Sequence, residues 1–366
     1  CKMKKRKVLA VLLCAAMTAA LAVGCGGSKG SDSSDKSSDS SSSSDDVITV
    51  GFSQVGAESD WRTANSQSMK DTFSKENGYD LIFDDAQQKQ ENQITAIRNF
   101  IQQEVDYILL APVTETGWDT VLQEAKDADI PVIIVDRMVD VSDDSLYTAW
   151  VGSNFKLEGQ KACEWLKSYA EAKGMSEVNI VDIQGTIGAS AQIGRTEGFD
   201  EAVEAHDNWT TLAQQSGEFT QAKGQEVMES MLKQYDNINV VYCENDNEAF
   251  GAIDAIEAAG KTVGSDIANG EIMVISFDTT HAGLQDVLDG KIECDVECNP
   301  LHGPRAEELI KKLEAGEDVD KQNYVDEEIF AHDDTVKSVK ATNSLDEEKD
   351  FDVTPLTQDI LDKRAY

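Results

Sequence analysis

The chain has 366 residues and carries 69 acidic against 32 basic side chains, which gives a formal net charge of −37. A charge this negative repels the phosphate backbone of nucleic acids, so nucleic-acid binding is excluded as a function class. The length exceeds that of one typical hydrophobic core, and we therefore expect two domains.

The first 24 residues have the pattern of an export signal. Basic residues precede an Ala- and Leu-rich apolar run at 8–23, and small residues lead up to Cys25. This arrangement resembles a bacterial lipobox, so 1–24 is predicted to be a signal peptide and Cys25 to carry lipid. Ser and Asp dominate the stretch that follows, and 25–46 is expected to be the lipidated cysteine with a hydrated tether.

From residue 47 onward, predicted strands and helices alternate. Apolar or β-branched runs predict strands at 48–52, 80–84, 106–110, 131–135, 147–151, 178–183, 238–242 and 272–276, with weaker signals near 210–214, 292–297 and 324–329. Helices are predicted near 60–76, 88–103, 117–128, 154–172, 188–205, 221–235, 247–259, 280–289 and 302–315. This alternation is typical of α/β domains with parallel sheets covered on both faces.

Polar side chains follow several of these strands, at the sheet edge where α/β proteins bind ligands. Trp61 and Arg62 combine a flat apolar ring with a fork of donors, which suits a small molecule that has a C–H face and hydroxyl groups. Asp136 and Arg137 present acceptors and donors side by side, as adjacent sugar hydroxyls require. The alternative is structural: a half-buried Trp and a solvated Arg at a helix start, and an Asp that caps a turn.

Other residues carry the same two interpretations. Asn245 and Asp278 also follow predicted strands and are either caps or ligand contacts. Taken alone, Arg195 is expected to be a charged surface residue and Phe219 a core residue.

The chain does not have the pattern of an enzyme. Its four histidines lie in no catalytic motif, and it has neither a glycine-rich phosphate loop nor an HExxH motif. Asp136 and Asp278 are disfavoured as a glycosidase pair. The four cysteines after the tether are expected to be buried apolar residues, with Cys294 and Cys298 only a weak metal pair. We expect no cofactor and no metal.

A series of motifs in the folded region resembles a known family. FSQVG with Trp61 and Arg62, DDAQQKQENQ, LLAPV, VIIVDR, QGTIGAS, SGEFTQAKG, ENDNEAFGAI, ISFD and VECNPLHGP occur in this order across 47–310. Together they resemble the sugar-binding proteins of bacterial ABC importers, of the ribose and galactose type, and especially the members that bind galactofuranose.

The resemblance implies the type I periplasmic binding protein fold, with two similar doubly wound parallel-sheet domains joined by three chain crossings. The N-terminal lobe is expected to comprise 47–152 plus 299–325, and the C-terminal lobe 153–298 plus 326–366. The crossings are expected near Gly152, Asn299 and Val325. Past about Phe330 the resemblance weakens, and the acidic stretch there is expected to form a surface excursion before a short helix.

The resemblance also implies roles for ten residues. Trp61 is expected to stack on a sugar and the others to contact it or its hydroxyls: Ser53, Trp61, Arg62, Asp136 and Arg137 from the N-terminal lobe, and Arg195, Phe219, Asn245, Asp278 and Glu297 from the C-terminal lobe or hinge.

The predicted function is that of an extracytoplasmic solute-binding lipoprotein. It captures a monosaccharide, galactofuranose or a related hexose or pentose, in the cleft between its lobes and delivers it to the permease subunits of an ABC transporter. We expect a monomer, anchored to the outer face of the bacterial cell membrane through Cys25.

The alternative is a receptor of the same fold that presents a sugar or a sugar-like signal to a membrane sensor. A lac-repressor-type regulator is rejected, because an export signal stands where a helix-turn-helix would be needed.

Overall fold

The computed structural model describes residues 47–345 and 347–366. The predicted signal peptide, Cys25 and the tether lie outside the described residues. Among the helices of the described part, none is both long and apolar enough to cross a membrane.

The elements alternate along the chain much as the sequence predicts. The strands are β1 (Ile48–Gln54), β2 (Tyr79–Asp85), β3 (Tyr107–Leu110), β4 (Val132–Val135), β5 (Ala149–Gly152), β6 (Val178–Gln184), β7 (Trp209–Ser216), β8 (Val240–Cys243), β9 (Met273–Asp278), β10 (Cys294–Glu297), β11 (Gln322–Tyr324), β12 (Ile329–Ala331), β13 (Ser338–Thr342), β14 (Glu348–Asp352) and β15 (Thr354–Pro355). The helices are α1 (Asp60–Thr72), α2 (Gln90–Gln102), α3 (Asp119–Asp127), α4 (Phe155–Lys173), α5 (Ser190–Ala205), α6 (Gln221–Gln234), α7 (Asp246–Ala258), α8 (His281–Leu288), α9 (His302–Ala315) and α10 (Gln358–Leu361).

The first sheet has the order β2-β1-β3-β4-β5-β11, and all of its pairs are parallel. Its strands are apolar on both sides because helices cover both faces. Side chains of α1 and α9, such as Met69 and Leu309, pack on one face. Phe100 of α2 and Leu122 of α3 pack on the other. The carboxyl ends of β1 and β4 therefore open onto the same edge.

The second sheet has the order β7-β6-β8-β9-β10-β12-β15. It is parallel except that β12 runs antiparallel to β10. Trp165 and Tyr169 of α4 pack on one face, and α6, α7 and α8 cover the other with residues such as Met228 and Leu284. The fold class expected from the sequence, two doubly wound α/β domains of the periplasmic binding protein type I, is confirmed.

The predicted strand at 324–329 is instead two short strands with a gap between them. β11 pairs with β5 in the first sheet, and β12 pairs with β10 in the second. The chain crosses between the sheets here, so no single strand can include both ends. We propose the lobe boundaries stated above, and the division of the strands between the two sheets supports them.

The acidic stretch after β12 forms the antiparallel hairpin β13–β14, and the short helix α10 follows. Alternate residues of β13 are buried, and Val336, Val339 and Val353 join the core under α4. The hairpin thus lies on the surface, and one of its faces packs on the core of the second sheet.

Candidate functional site

A cavity with about 290 Å³ of space, open solvent at its mouth included, lies between the carboxyl edges of the two sheets. Eight of the ten residues predicted to contact a ligand line it. The lining consists of Glu58, Ser59, Trp61, Arg62, Asp136, Arg137, Phe155, Ala191, Arg195, Phe219, Asn245, Asp278 and Cys298. Both lobes contribute, so the cavity exists only where they meet.

The start of α1 fixes the aromatic wall of the cavity. Ser59 caps this helix, and its hydroxyl accepts a hydrogen bond of 3.1 Å from the Arg62 amide. Trp61 therefore sits in the first turn, where it is only 4 % exposed. Its indole Nε1 donates to the Cys298 carbonyl at 2.6 Å, which ties the ring to the crossing after β10. The helix start thus fixes the backbone of Trp61, and the Cys298 carbonyl fixes its ring.

Arg62 lies between two buried carboxylates. Its guanidinium is 2.7 Å from Asp136 Oδ2 and donates to Glu58 Oε1 at 2.9 Å. Although burial alone would lower the pKa of Arg62, these carboxylates raise it above its ordinary value. Asp136 Oδ2 has no aligned hydrogen-bond donor among the described residues, so this oxygen keeps acceptor capacity toward the cavity.

Asp136 adopts a left-handed backbone conformation with φ of 64°. Its carbonyl accepts from Trp150 Nε1 at 3.0 Å, and it lies so close to Gly152 that a Cβ there would stand 2.2 Å away. Gly152 is thus required by the close approach of the Asp136 backbone. These contacts aim the carboxylate at the cavity. No described helix begins at Asp136, so this residue does not cap a helix.

Arg137 bridges the lobes. Its guanidinium donates to the Val113 carbonyl at 2.9 Å and lies 5.1 Å from the centre of the Phe219 ring. Burial and the neighbouring Arg62 lower the pKa of Arg137 to about 10. Because this value is still well above neutral, the residue stays cationic.

Arg195 is the central cation of the second lobe. It donates to Glu158 Oε2 at 2.8 Å, lies 3.4 Å from Asp278 Oδ1, and also bonds the Glu244 carbonyl. Although burial alone would lower the pKa of Arg195, Glu158 and Asp278 raise it. Burial raises the pKa of Asp278 well above its ordinary value, against the opposing effect of Arg195. The surface-charge interpretation of Arg195 is wrong, because this side chain is only 2 % exposed.

Asn245 is a helix cap, one of the two roles that the sequence allows, and it also lines the cavity, where contact with a ligand stays a prediction. It caps α7, accepting from the Glu248 amide at 2.8 Å, while its own Nδ2 donates to the Phe219 carbonyl at 3.3 Å. Phe219 is held further by its amide, which donates to Glu248 at 2.9 Å. Asp278 does not cap a helix, because Thr280 caps α8.

Hydrogen bonds between the lobes show that the cleft is closed in this structure. The Met138 amide donates to Ser190 Oγ at 2.8 Å, the Glu115 amide to the Gly188 carbonyl at 2.9 Å, and the Asp60 amide to Asn247 Oδ1 at 3.0 Å. These contacts hold the two lobes together beside the cavity.

Ser53 lies outside the cavity lining. The strand β1 continues to Gln54, so Ser53 sits within it rather than in the loop that follows. Its side chain is fully buried, and its hydroxyl has no hydrogen-bond partner among the described residues.

Glu297 also lies outside the lining, near the hinge. Its carboxylate accepts from the Glu328 amide at 2.8 Å, Asn299 Nδ2 at 3.1 Å, Arg364 at 3.1 Å and the Tyr366 hydroxyl at 2.5 Å. These four donors already occupy its oxygens. Glu297 thus lies at the chain crossing after β10, apart from the eight predicted residues that line the cavity, and its contact with a ligand stays a prediction.

Sequence reasoning missed five residues of the lining: Glu58, Ser59, Phe155, Ala191 and Cys298. Glu58 precedes Arg62 by four positions, a spacing that predicts an ion pair across one helical turn and could have revealed it. Phe155, Ala191 and Cys298 join Trp61 and Phe219 in one apolar cluster. Nothing in the local pattern distinguishes them from core residues.

The cysteines of the folded region are free and buried. Cys294 belongs to the core under α4, whereas Cys298 lines the cavity. Cys298 also lies near Glu158 and Glu327, and their ligand atoms fall within 4.8 Å of one another. Protein donors already bond the two carboxylates, Arg195 that of Glu158 and Ser153 that of Glu327. We therefore assign no metal to this group.

Comparison with known proteins places these features in a family. Residues 50–302 match the periplasmic binding protein domain. The galactofuranose-binding protein YtfQ of Escherichia coli (strain K12) is 44% identical over 273 residues, which are 74% of this chain and 83% of that protein.

Two solved structures share the fold at similar identity. One, from Mycobacterium smegmatis in complex with β-D-fucofuranose, is 46% identical with a TM-score of 0.74 over 79% of this chain and 92% of that one. The other is the periplasmic component of the arabinose ABC transporter of Shewanella sp. ANA-3, bound to α- and β-L-arabinofuranose. It is 43% identical with a TM-score of 0.72 over 78% of this chain and 92% of that one. The chain therefore belongs to the periplasmic binding protein family, and within it to the extracytoplasmic sugar-binding proteins of bacterial ABC importers, which bind solutes and are not enzymes.

Proposed function

We propose that this protein captures a monosaccharide in its furanose form, galactofuranose first, and delivers it to the permease of an ABC transporter. The observation that carries the proposal is the closed cavity, to which both lobes contribute aromatic rings and paired charges. Three similar proteins support the furanose form, since their names and bound ligands are galactofuranose, β-D-fucofuranose and L-arabinofuranose.

A monosaccharide needs only a modest binding free energy from each of its atoms. A hexose has about 12 heavy atoms, so the ceiling of roughly −1.5 kcal/mol per atom allows about −18 kcal/mol in total. Micromolar binding needs only about −8 kcal/mol. Selectivity, rather than affinity, is therefore the task of the site.

The chemistry of the lining suits a sugar, which has hydroxyl groups at its edge and C–H groups on its face. We assign stacking on this face to Trp61, while Phe219 forms the aromatic wall of the opposite lobe. Asp136 and Asp278 act as acceptors, and Arg62 and Arg195 as donors. Each charge is paired already, so a sugar completes the hydrogen bonds without having to neutralise the site. An analogue that lacks one hydroxyl would leave a buried group unpaired, at a cost of about 1–3 kcal/mol.

The roles of the remaining predicted contacts follow from their positions. Arg137 spans from one lobe to Phe219 of the other and favours closure around the ligand. Asn245 orients Phe219 through the carbonyl of that residue. The closed protein is then the form presented to the permease.

A melting-temperature screen against a panel of sugars tests ligand capture, because a ligand that binds only the folded state raises the melting temperature. We expect D-galactose, D-fucose or L-arabinose to raise it by several degrees, and NMR of the released sugar to show enrichment of the furanose form. No shift with any sugar of the panel, which also includes ribose and fructose, would remove the proposal.

We further propose that the protein is monomeric and anchored by lipid on Cys25. The lipobox-like sequence supports the anchor. In cells, the unmodified protein should fractionate with membranes, whereas a Cys25→Ala variant should appear in the soluble fraction. A variant that stays with the membranes would contradict the anchor and leave sugar binding unaffected.

A further inference from the structure

The segment after β15 returns to the back of the ligand cavity. Leu361, the last residue of α10, is almost fully buried in the core beneath the second sheet, and α10 packs against α8. This anchor directs Arg364 toward the end of β9, where Asp278 lies. The segment follows residue 302, at which the match to the family ends.

Arg364 binds the residue next to Asp278. Its Nε donates to the Thr279 carbonyl at 2.9 Å, and a terminal nitrogen bonds the Thr279 hydroxyl. The same nitrogen donates to Glu297 Oε1 at 3.1 Å. The Tyr366 hydroxyl donates to that same Glu297 oxygen at 2.5 Å. A single guanidinium therefore connects the turn after β9 to the end of β10.

The charge of Glu297 fits this arrangement. Burial alone would raise the pKa of Glu297, yet Arg364 and the Tyr366 hydroxyl lower it below its ordinary value. The carboxylate is therefore ionised, and it faces the Arg364 cation as a partly buried ion pair.

The turn that Arg364 holds has an uncommon backbone. Asp278 has φ of 106° and Thr279 has φ of 54°, two consecutive left-handed residues that are not glycine. Such conformations persist only when neighbouring groups hold them. The Thr279 amide donates to Asp295 at 3.2 Å, while Arg364 holds the carbonyl on the other side of the same residue. The direction of the Asp278 carboxylate depends on this turn.

We propose that Arg364 is a positioning residue for the sugar site: through Thr279 it holds the Asp278 carboxylate in line with the cavity and with Arg195. The inference rests on the proposed function, since it gives Asp278 a sugar to bind. Arg364 itself does not line the cavity. Through Glu297 it also ties the turn to the crossing after β10, so the position of Asp278 is coupled to the hinge.

A double-mutant cycle in the full protein tests this inference. Arg364→Ala should weaken binding of the sugar identified in the screen by about tenfold or more, chiefly through faster dissociation. In an Asp278→Asn background, the same change should alter affinity less than twofold, because the group it positions is already impaired. Arg364→Lys should recover part of the loss, since Lys keeps the charge but not the forked donors. The control is Lys363→Ala, an exposed neighbour, which should change nothing.

Equal losses of affinity in both backgrounds would show a merely structural role and overturn the inference. Hydrogen exchange in the sugar-free protein provides a readout that does not need a sugar. The amides of Thr279 and Thr280 should exchange at least tenfold faster in Arg364→Ala and at the original rate in Lys363→Ala. If no sugar binds the unmodified protein, the proposed function fails, and the exchange rates still decide whether Arg364 holds the turn. Unchanged exchange would overturn the inference.

Discussion

Replacement of Asp136 by Asn tests the proposed hydroxyl acceptor with little change in shape. Asn tolerates the left-handed conformation at this position, φ of 64°, better than Ala does. Breaking a buried ion pair typically costs 3–5 kcal/mol when the partner is left alone. Here Arg62 keeps Glu58 as a partner at 2.9 Å, so we expect a loss of only about 1–2 kcal/mol in the free energy of unfolding.

The effect of Asp136→Asn on sugar affinity should be larger. A hydrogen bond to a charged group contributes about 1.5–3 kcal/mol, which corresponds to a Kd roughly 10- to 150-fold weaker. Titration calorimetry measures the affinity, and urea unfolding measures the stability of the same sample. Asp140→Asn, at an exposed position on the same loop, is the matched control and should leave both unchanged. A folded Asp136→Asn variant that binds sugar within twofold of the original affinity would refute the assignment of Asp136 to the site.

Three further predictions concern the cavity and the acids behind it. Gly185→Ala places a Cβ 1.9 Å from the tip of the Phe219 ring, so the ring must turn into the cavity. We expect sugar affinity to fall at least tenfold in calorimetry. Unchanged affinity would be inconsistent with this geometry. Trp61→Phe removes the hydrogen bond to the Cys298 carbonyl and should cost about 1 kcal/mol of stability in urea unfolding together with a clear loss of affinity, whereas an unaffected Kd would argue against stacking. Burial raises the pKa of Glu244 to about 8. Protonated Glu244 therefore stabilises the fold. This contribution is complete below the ordinary pKa of 4.5 and is lost as the pH rises through 8. The free energy of unfolding should therefore fall by a few kcal/mol between pH 5 and pH 8.5, and Glu244→Gln should make this slope shallower; an equally steep slope in the variant would contradict the cause.

Much of the fold is predictable from the sequence because strand and helix periodicities alternate along the chain without interruption. The predicted strand at 324–329 fails for a physical reason. Glu327 accepts from Ser153 Oγ at 2.6 Å and from the Asn299 amide at 2.8 Å, so it joins all three chain crossings. These partners are distant in sequence, and no local pattern reveals them.

The candidate site is predictable where the fold itself gathers the residues. Asp136 follows β4 of the first sheet and Asp278 ends β9 of the second, and the carboxyl edges of the two sheets face each other across the cavity. Cys298 belongs to a chain crossing, and its position depends on how the two lobes close. Glu297 differs because its partners Arg364 and Tyr366 come from a segment that packs back from elsewhere in the chain.

The most direct measurement of the central claim is a calorimetric titration of the purified protein with D-galactose, followed by L-arabinose and D-fucose. Saturable heat with one sugar per protein chain and a Kd in the micromolar range or tighter is the predicted result, and the affinity should fall clearly when Trp61 or Asp136 is replaced. Absence of saturable heat with all three sugars, or binding that survives both replacements unchanged, would contradict capture of a sugar between the lobes.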